Sequence, residues 1–298
     1  IASQALRDQN FTTSTANYNV AVGANAGLSI TTGVQNTIVG TLAGDALTDA
    51  DFNVAVGYNA LTAETLGSRS VAVGTFSLVS QNFTTATNAY NVAVGYSAGN
   101  LITTGDKNTL VGGLSGDALT TGTDNVAIGY AALSTEDAHG LNVAVGSQAL
   151  RVQNAGANAY NVGIGYNAGG AVTTGTFNTL MGGLAGDALT EGTRNIVVGY
   201  NALTSDTKGS KSVAIGLGTL QDQNFTTATD THNTAVGHGA GSSVTTGDQN
   251  TLVGALAGDA VTTGTRNVAI GVSTLGSDTL GSRSVAVGNF SLSAQNLT

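Results

Sequence analysis

A five-residue motif recurs along the whole chain and constrains its fold more than any other feature. Its commonest form is Asn-Val-Ala-Val-Gly, and sixteen copies can be aligned. The glycines that close the first four copies are evenly spaced, at Gly23, Gly40, Gly57 and Gly74. The same interval of seventeen returns throughout, except that a longer one precedes Gly95, Gly165 and Gly237. The unit of the chain is therefore a seventeen-residue segment, and these segments are grouped in fours.

The grouping predicts one repeat array with four blocks. The blocks lie at about residues 19–90, 91–160, 161–232 and 233–298, and residues 1–18 form the end of a preceding block. Both ends cut a block partway, because Ile1–Leu6 matches Val145–Leu150 and Ser291–Asn296 matches Ser77–Asn82. We therefore expect the sequence to be a segment of a longer array.

The period indicates how each unit folds. Seventeen residues are too few for a helical hairpin, and the apolar residues around Val20 and Val22 alternate with period two, which is typical of a strand. One unit has room for two short strands and two turns, so it can wind once as a coil of a parallel β-solenoid. We therefore predict an all-β protein, a parallel β-solenoid of about sixteen coils stacked about 4.8 Å apart. The Asn that opens each strand should then stack into a ladder that bonds the turn backbone and the next coil.

The strand pattern also predicts a partner. Val20 and Val22 are expected to point into the core of their own coil, which turns the residue between them outward. That middle residue is never polar, so both faces of the strand should be buried. Because one thin coil has a single interior, further copies of the chain would cover the outer row. The predicted axis-facing row is Ala21, Ile38, Ala55, Ala72, Ala93, Leu110, Ala127, Ala144, Leu180, Ala214, Leu252 and Ala286.

Composition excludes several function classes. The formal charge of −9 argues against a nucleic-acid partner. The chain has no Cys, and its three His residues are too scattered for a zinc cluster or a catalytic triad. No apolar run is long enough to cross a membrane as a helix. We therefore expect no enzyme activity, no cofactor, no metal and no membrane insertion in this segment.

The run Asn53–Leu61, Asn-Val-Ala-Val-Gly-Tyr-Asn-Ala-Leu, with Thr-x-Gly-Ser closing the coil, carries a resemblance that extends over essentially the whole chain. It resembles the head repeats of trimeric autotransporter adhesins, and it is more similar to repeats of phage tail fibres and bacterial surface proteins that end in an intramolecular chaperone. The resemblance implies a left-handed β-roll in a homotrimeric fibre whose Ala-rich row faces the fibre axis. It also implies an extracellular location, on a virion appendage or a cell surface. Adhesin heads use a shorter coil, so both lineages stay open.

The longer intervals between blocks place aromatic side chains in loops. Aromatic residues there can cover the edges of neighbouring coils, or they can contact a cell-surface glycan or a protein receptor. The candidate contact residues are Phe11, Tyr18, Phe83, Tyr90, Tyr160 and Phe225.

The leading functional prediction is a fibre shaft or adhesin that serves host or receptor attachment. One alternative is a spike that cleaves polysaccharide with paired carboxylates, although the acids here are mostly periodic. Another alternative is an ice-binding solenoid, because Thr pairs recur at Thr31, Thr103, Thr173 and Thr245. These pairs occur once in four coils, without a regular Thr row.

Overall fold

The computed structural model describes residues 3–12 and 16–296 of the chain, and these residues form short strands joined by tight turns. Sixteen strands have three residues and four have two, and the described residues contain no helix. The first ten strands are β1 (Val20–Val22), β2 (Thr37–Val39), β3 (Val54–Val56), β4 (Gly67–Ser68), β5 (Val71–Val73), β6 (Thr87–Asn88), β7 (Val92–Val94), β8 (Thr109–Val111), β9 (Val126–Ile128) and β10 (Val143–Val145). The others are β11 (Val162–Ile164), β12 (Thr179–Met181), β13 (Ile196–Val198), β14 (Gly209–Ser210), β15 (Val213–Ile215), β16 (Thr229–Asp230), β17 (Thr234–Val236), β18 (Thr251–Val253), β19 (Val268–Ile270) and β20 (Val285–Val287).

The chain forms two compact units. The first contains the described residues up to Asn142 together with Gly156–Asn158, and its main sheet has the order β1-β2-β3-β5-β7-β8-β9. The second contains Val143–Ala155 and the described residues from Ala159, and its sheet has the order β10-β11-β12-β13-β15-β17-β18-β19-β20. Each unit also has one two-stranded sheet, β4-β6 in the first and β14-β16 in the second.

Strand pairing follows the repeat period. Pairs within a block join residues one period apart, as Val54 joins Val71 and Val162 joins Thr179, and every pair described within the units is parallel. A residue can pair with its equivalent in the next coil only if the chain makes one full turn between them. The prediction of a parallel β-solenoid of about sixteen coils is therefore confirmed.

The predicted direction of the strand side chains is wrong. The middle residues of the strands lie inside their own coils, with Ala55, Leu110 and Leu252 at 0% exposure, whereas Val20 and Val22 are 51% and 57% exposed. Ala21 is half-buried, and the rest of the expected outer row is buried inside the coils rather than on an axis between chains. The buried members are Ile38, Ala55, Ala72, Ala93, Leu110, Ala127, Ala144, Leu180, Ala214, Leu252 and Ala286.

The reason is the small space inside a coil. A Cβ added to Gly163, a middle strand residue, would lie 2.8 Å from Cγ of Leu150, because leucines four residues after a closing glycine fill the interior opposite the strand. Where the middle residue is itself Leu, glycine takes the opposing position, and a Cβ at Gly116 would lie 2.7 Å from Cδ2 of Leu110. Interiors are packed to a fixed volume, so one large residue requires a small one across from it.

The interior also explains why coils come in fours. In the first two coils of a block, seven residues after the closing glycine, the interior is filled by an apolar side chain such as Ile30 or Leu47, both fully buried. The next two coils carry a buried acid and amide instead, and Gln81 Nε2 donates to Glu64 Oε2 at 2.8 Å. Asn91 Nδ2 in turn donates to Gln81 Oε1 at 2.9 Å, which satisfies both ends of the glutamine. Each block therefore alternates an apolar interior with a hydrogen-bonded polar one.

The asparagine ladder is confirmed. In one rung, Asn195 Oδ1 accepts from Ser212 N at 2.9 Å, and Asn195 Nδ2 donates to Gly209 O at 3.0 Å and to Asn178 Oδ1 at 3.2 Å. The same bonds recur at other coils, as when Asn250 Oδ1 accepts from the next strand-opening asparagine. Each rung fixes the start of one strand to the coil beside it, since these side chains are fully buried and their polar groups must be paired.

Candidate functional site

No pocket is found among the described residues, so candidate sites must lie on exposed surfaces. The first such surface consists of the first and third residues of the three-residue strands, which we call the outer strand face. These positions hold Val, Ile, Thr and one Met, all half-buried or exposed. In the second unit the exposed ones include Met181, Ile196 and Ile270, at 39%, 45% and 40%. Each unit thus presents a strip of mostly apolar side chains to its surroundings.

A second surface lies two residues before each of these strands, and we call it the edge row. All of its sixteen side chains are exposed or half-buried, and all have positive φ between 50° and 67°. L-residues rarely adopt this conformation, which glycine and asparagine tolerate best. Yet none of the sixteen is Gly or Asn. The first unit contributes Tyr18, Gln35, Phe52, Arg69, Tyr90, Lys107, Asp124 and Leu141, and the second contributes Tyr160, Phe177, Arg194, Lys211, His232, Gln249, Arg266 and Arg283.

Neighbouring members of the edge row contact one another through rings and guanidinium groups. The Arg69 guanidinium lies 4.8 Å from the Phe52 ring centre and 6.0 Å from that of Tyr90. In the second unit, the Tyr160 and Phe177 rings stack with 5.3 Å between centres and an interplanar angle of 6°. Cations over aromatic faces and stacked rings are both weakly attractive. Rings and cations therefore lie side by side along the row.

Most of the positively charged residues of the chain lie in the edge row. The chain has nine Lys and Arg residues, and six of them lie in the edge row. The eight members in the second unit include four of these cations and no acid. On a protein with a formal charge of −9, this strip is a local concentration of positive charge.

The structure separates the predicted contact aromatics into two kinds. Tyr18, Tyr90 and Tyr160 belong to the edge row and are 71%, 51% and 48% exposed. Phe83 and Phe225 are buried, at 7% and 8% exposure, because they pack into the coil rather than project from the loop. They are therefore not surface contacts, which corrects the prediction. The sixth aromatic, Phe11, is half-buried.

A further row of exposed aromatic residues was not predicted, because the prediction considered only the longer loops between blocks. Tyrosines follow the closing glycine in alternate coils, at 47% to 59% exposure. In the first unit, the Phe76 ring lies between the Tyr58 and Tyr96 rings at 5.6 Å and 6.2 Å. Aligning the chain in columns by its repeat period shows both this row and the edge row, whereas attention to block ends does not. The tyrosines are Tyr58, Tyr96, Tyr130, Tyr166 and Tyr200.

The acids in the third coil of each block are buried and accept hydrogen bonds from the turns around them. Glu64, Asp206 and Asp278 each lie five residues before a cation of the edge row, but all three carboxylates are buried. Their oxygens accept turn hydrogen bonds, such as those from the N–H groups of Gly67, Gly209 and Gly281 at 2.6, 3.0 and 2.9 Å. Burial raises the pKa of Asp206 above its ordinary value, although its hydrogen bonds act in the opposite direction.

The second block differs at the same turn. Among the described residues, Glu136, Asp137 and His139 form a group of three possible metal ligands whose donor atoms lie within 4.8 Å of one another. His139 Nδ1 lies 3.3 Å from Glu136 Oε1. The glutamate is buried at the position that Glu64 occupies in the first block, so the structural role of Glu64 accounts for it.

The threonine pairs take part in the backbone of the coil. The hydroxyls of Thr31, Thr103, Thr173 and Thr245 each donate to a threonine carbonyl one coil further on, at 3.1 to 3.3 Å. A hydroxyl held by the protein in this way is less able to order water. This arrangement gives no support to the ice-binding alternative.

A scan against protein-family models found no match, and neither a search of curated proteins nor a search of solved structures found one. None of the described segments forms a helix with the length and apolar character needed to cross a bilayer.

Proposed function

We propose that this chain is a subunit of a homotrimeric fibre, a shaft or adhesin on a virion or cell surface that serves attachment. The observation that supports it most is the outer strand face. A soluble monomer seldom leaves a contiguous apolar strip of several hundred Å² in water. The nine strands of the sheet in the second unit, about 4.8 Å apart, make its face about 40 Å long.

Self-association is the simplest way to cover this face. Its residues are mostly β-branched and apolar, so an identical strip on another copy would bury apolar side chains on both sides of the contact. The sequence resemblance implies three copies around one axis, in a left-handed β-roll. In the proposed trimer the axis is lined by the flanking Val and Ile residues of each strand, and not by the Ala row that the sequence first suggested.

Such a fibre suits attachment at a surface. A stack of similar coils offers the same exposed groups many times, and three chains multiply that number again, so weak individual contacts add up to strong retention. Phage-type fibre and autotransporter adhesin head are both compatible with this role.

The native mass of the purified protein tests the proposal. Light scattering after size-exclusion chromatography should give three times the chain mass of 29.3 kDa. Replacing Ile196 and Val198 together with Asp should reduce that mass, because it puts charges into the face. Thr226→Asp, in an exposed loop, is the control and should leave the mass unchanged. A wild-type mass of one chain would contradict the proposal.

A further inference from the structure

The edge row of the second unit has the chemistry of a binding surface for a charged sugar polymer. We propose that this row, from Tyr160 to Arg283, binds an anionic linear polysaccharide whose carboxylate groups meet the arginines. The inference rests on the proposed attachment function and gives it a ligand class. It follows from the arrangement of side chains and does not require the trimer.

The first argument is the pairing of rings with cations. Tyr160 and Phe177 are stacked and exposed, and the Arg194 guanidinium lies 5.5 Å from the Phe177 ring centre. The C–H face of a pyranose packs on an aromatic ring, and a guanidinium binds a carboxylate through two parallel hydrogen bonds. An acidic sugar offers both groups on one ring.

The second argument is that most of these cations form no ion pair with the protein. Within the described part of the chain, Arg194, Arg266 and Arg283 form none, although Arg194 is near enough to Asp230 to attract that carboxylate at longer range. Arg266 Nε donates to the neutral Gln249 Oε1 at 3.2 Å. Lys211 differs from them because its Nζ lies 2.6 Å from Asp230 Oδ2, which neutralises it. The guanidinium groups of Arg266 and Arg283 are therefore open to an external anion, and that of Arg194 is opposed by the longer-range attraction of Asp230.

The third argument is the rigid spacing of the row. The backbone N–H groups of Arg194, Arg266 and Arg283 each donate to a carbonyl of the preceding coil, at 2.9 to 3.0 Å. Neighbouring members follow at about 4.8 Å, the separation of hydrogen-bonded strands. This is close to the length of one sugar residue in an extended chain, so successive residues of a polymer can meet successive members of the row.

The binding experiment uses the full chain and three probes. These are polygalacturonate, the same polymer with methyl-esterified carboxylates, and single-stranded DNA. We expect binding to polygalacturonate and at least about tenfold weaker binding to the ester, because each lost charged hydrogen bond weakens binding by roughly that factor. Equal binding of the ester, DNA binding as strong as that of the polyuronate, or no polyuronate binding would overturn the proposal.

Charge-matched variants locate the site. The triple variant R194Q/R266Q/R283Q should weaken polygalacturonate binding about tenfold or more, whereas R7Q/R151Q/K208Q removes three cations outside the row and should change it less than about twofold. Equal losses in the two variants would overturn the proposal.

The native mass of the edge variant separates this inference from the proposed trimer. A reduced mass would make the row a contact between chains and would overturn the glycan site. An unchanged trimer whose wild-type form binds no polyuronate would overturn the glycan site alone. A wild-type mass of one chain with polyuronate binding intact would refute the trimer and support the binding site.

Discussion

Removing one rung of the asparagine ladder should destabilise the protein strongly. In Asn195→Ala, the buried amide of Ser212 loses its acceptor at 2.9 Å, and the carbonyl of Gly209 loses its donor at 3.0 Å. A buried backbone group left without a partner costs about 1–3 kcal/mol, so the two together predict a loss of about 2–6 kcal/mol per chain. A small cavity left by the amide adds to this loss.

Far-UV circular dichroism during guanidinium denaturation measures the effect, since the chain has no Trp for fluorescence. Asn224→Ala is the matched control, because Asn224 is exposed and its Oδ1 accepts from the Thr207 hydroxyl at 3.2 Å. The control should change stability by less than about 0.5 kcal/mol. A loss below that same value for Asn195→Ala would refute the view that the ladder holds the coils together.

Three further predictions follow from the interior. Gly199→Ala should prevent normal folding, since the new Cβ would overlap the carbonyl oxygen of Gly216 in the next coil. Gly156→Ala, whose new Cβ has nothing within 4 Å, should still give soluble protein. Expression yield and circular dichroism distinguish the two variants. Ala93→Leu should cost about 1–3 kcal/mol in denaturation because it overfills the coil, but Val94→Thr on the outer strand face should change monomer stability much less. Because burial raises the pKa of Asp206, its folded state holds a proton to higher pH than the unfolded chain does, so this group's contribution falls as pH rises from its unfolded pKa through its folded pKa. Asp206→Asn should therefore flatten the stability of the protein across that pH range, and an unchanged pH profile would contradict it.

The repeat period predicted the fold because, in a solenoid, residues paired between neighbouring coils are one sequence repeat apart. Val54 and Val71 occupy the same position in successive repeats, and parallel pairing between them requires the chain to make one full turn in between. The Asn ladder follows from the same step, since equivalent residues stack directly above one another. The parallel pairing could therefore be derived from the sequence alone. The number of strands could not, because the second strand that each coil has room for forms among the described residues only at β4, β6, β14 and β16.

The direction of the side chains could not be derived in the same way. Assigning the larger apolar residues to the interior is a sound rule for a thick sheet sandwich. Here the interior is narrow, and at Gly163 the side chain of Leu150 already occupies the space that a valine would need. Volume, and not hydrophobicity, decides which face of the strand turns inward.

The sequence predicted only some of the exposed residues of the candidate sites, because the prediction again left out how the coils stack. Loop length drew attention to the block ends, where Tyr90 and Tyr160 are exposed but Phe83 and Phe225 are buried. Both tyrosines belong to a column defined by its place before the strand, and that column continues through coils with no extra loop. Arg69 precedes Tyr90 by 21 residues, yet its guanidinium lies 6.0 Å from the Tyr90 ring centre, so only the winding of the chain brings them together.

The alternation of apolar and polar coils has a consequence for how such a chain can change length. Deleting one coil would set a buried acid such as Glu64 beside an aliphatic neighbour without the Gln81 amide that now binds it. Deleting four consecutive coils restores every neighbour, apart from the loop that differs between blocks. Recombination between repeats of the gene should therefore give folded products only when whole blocks are gained or lost, so the length of the chain should change in steps of four coils.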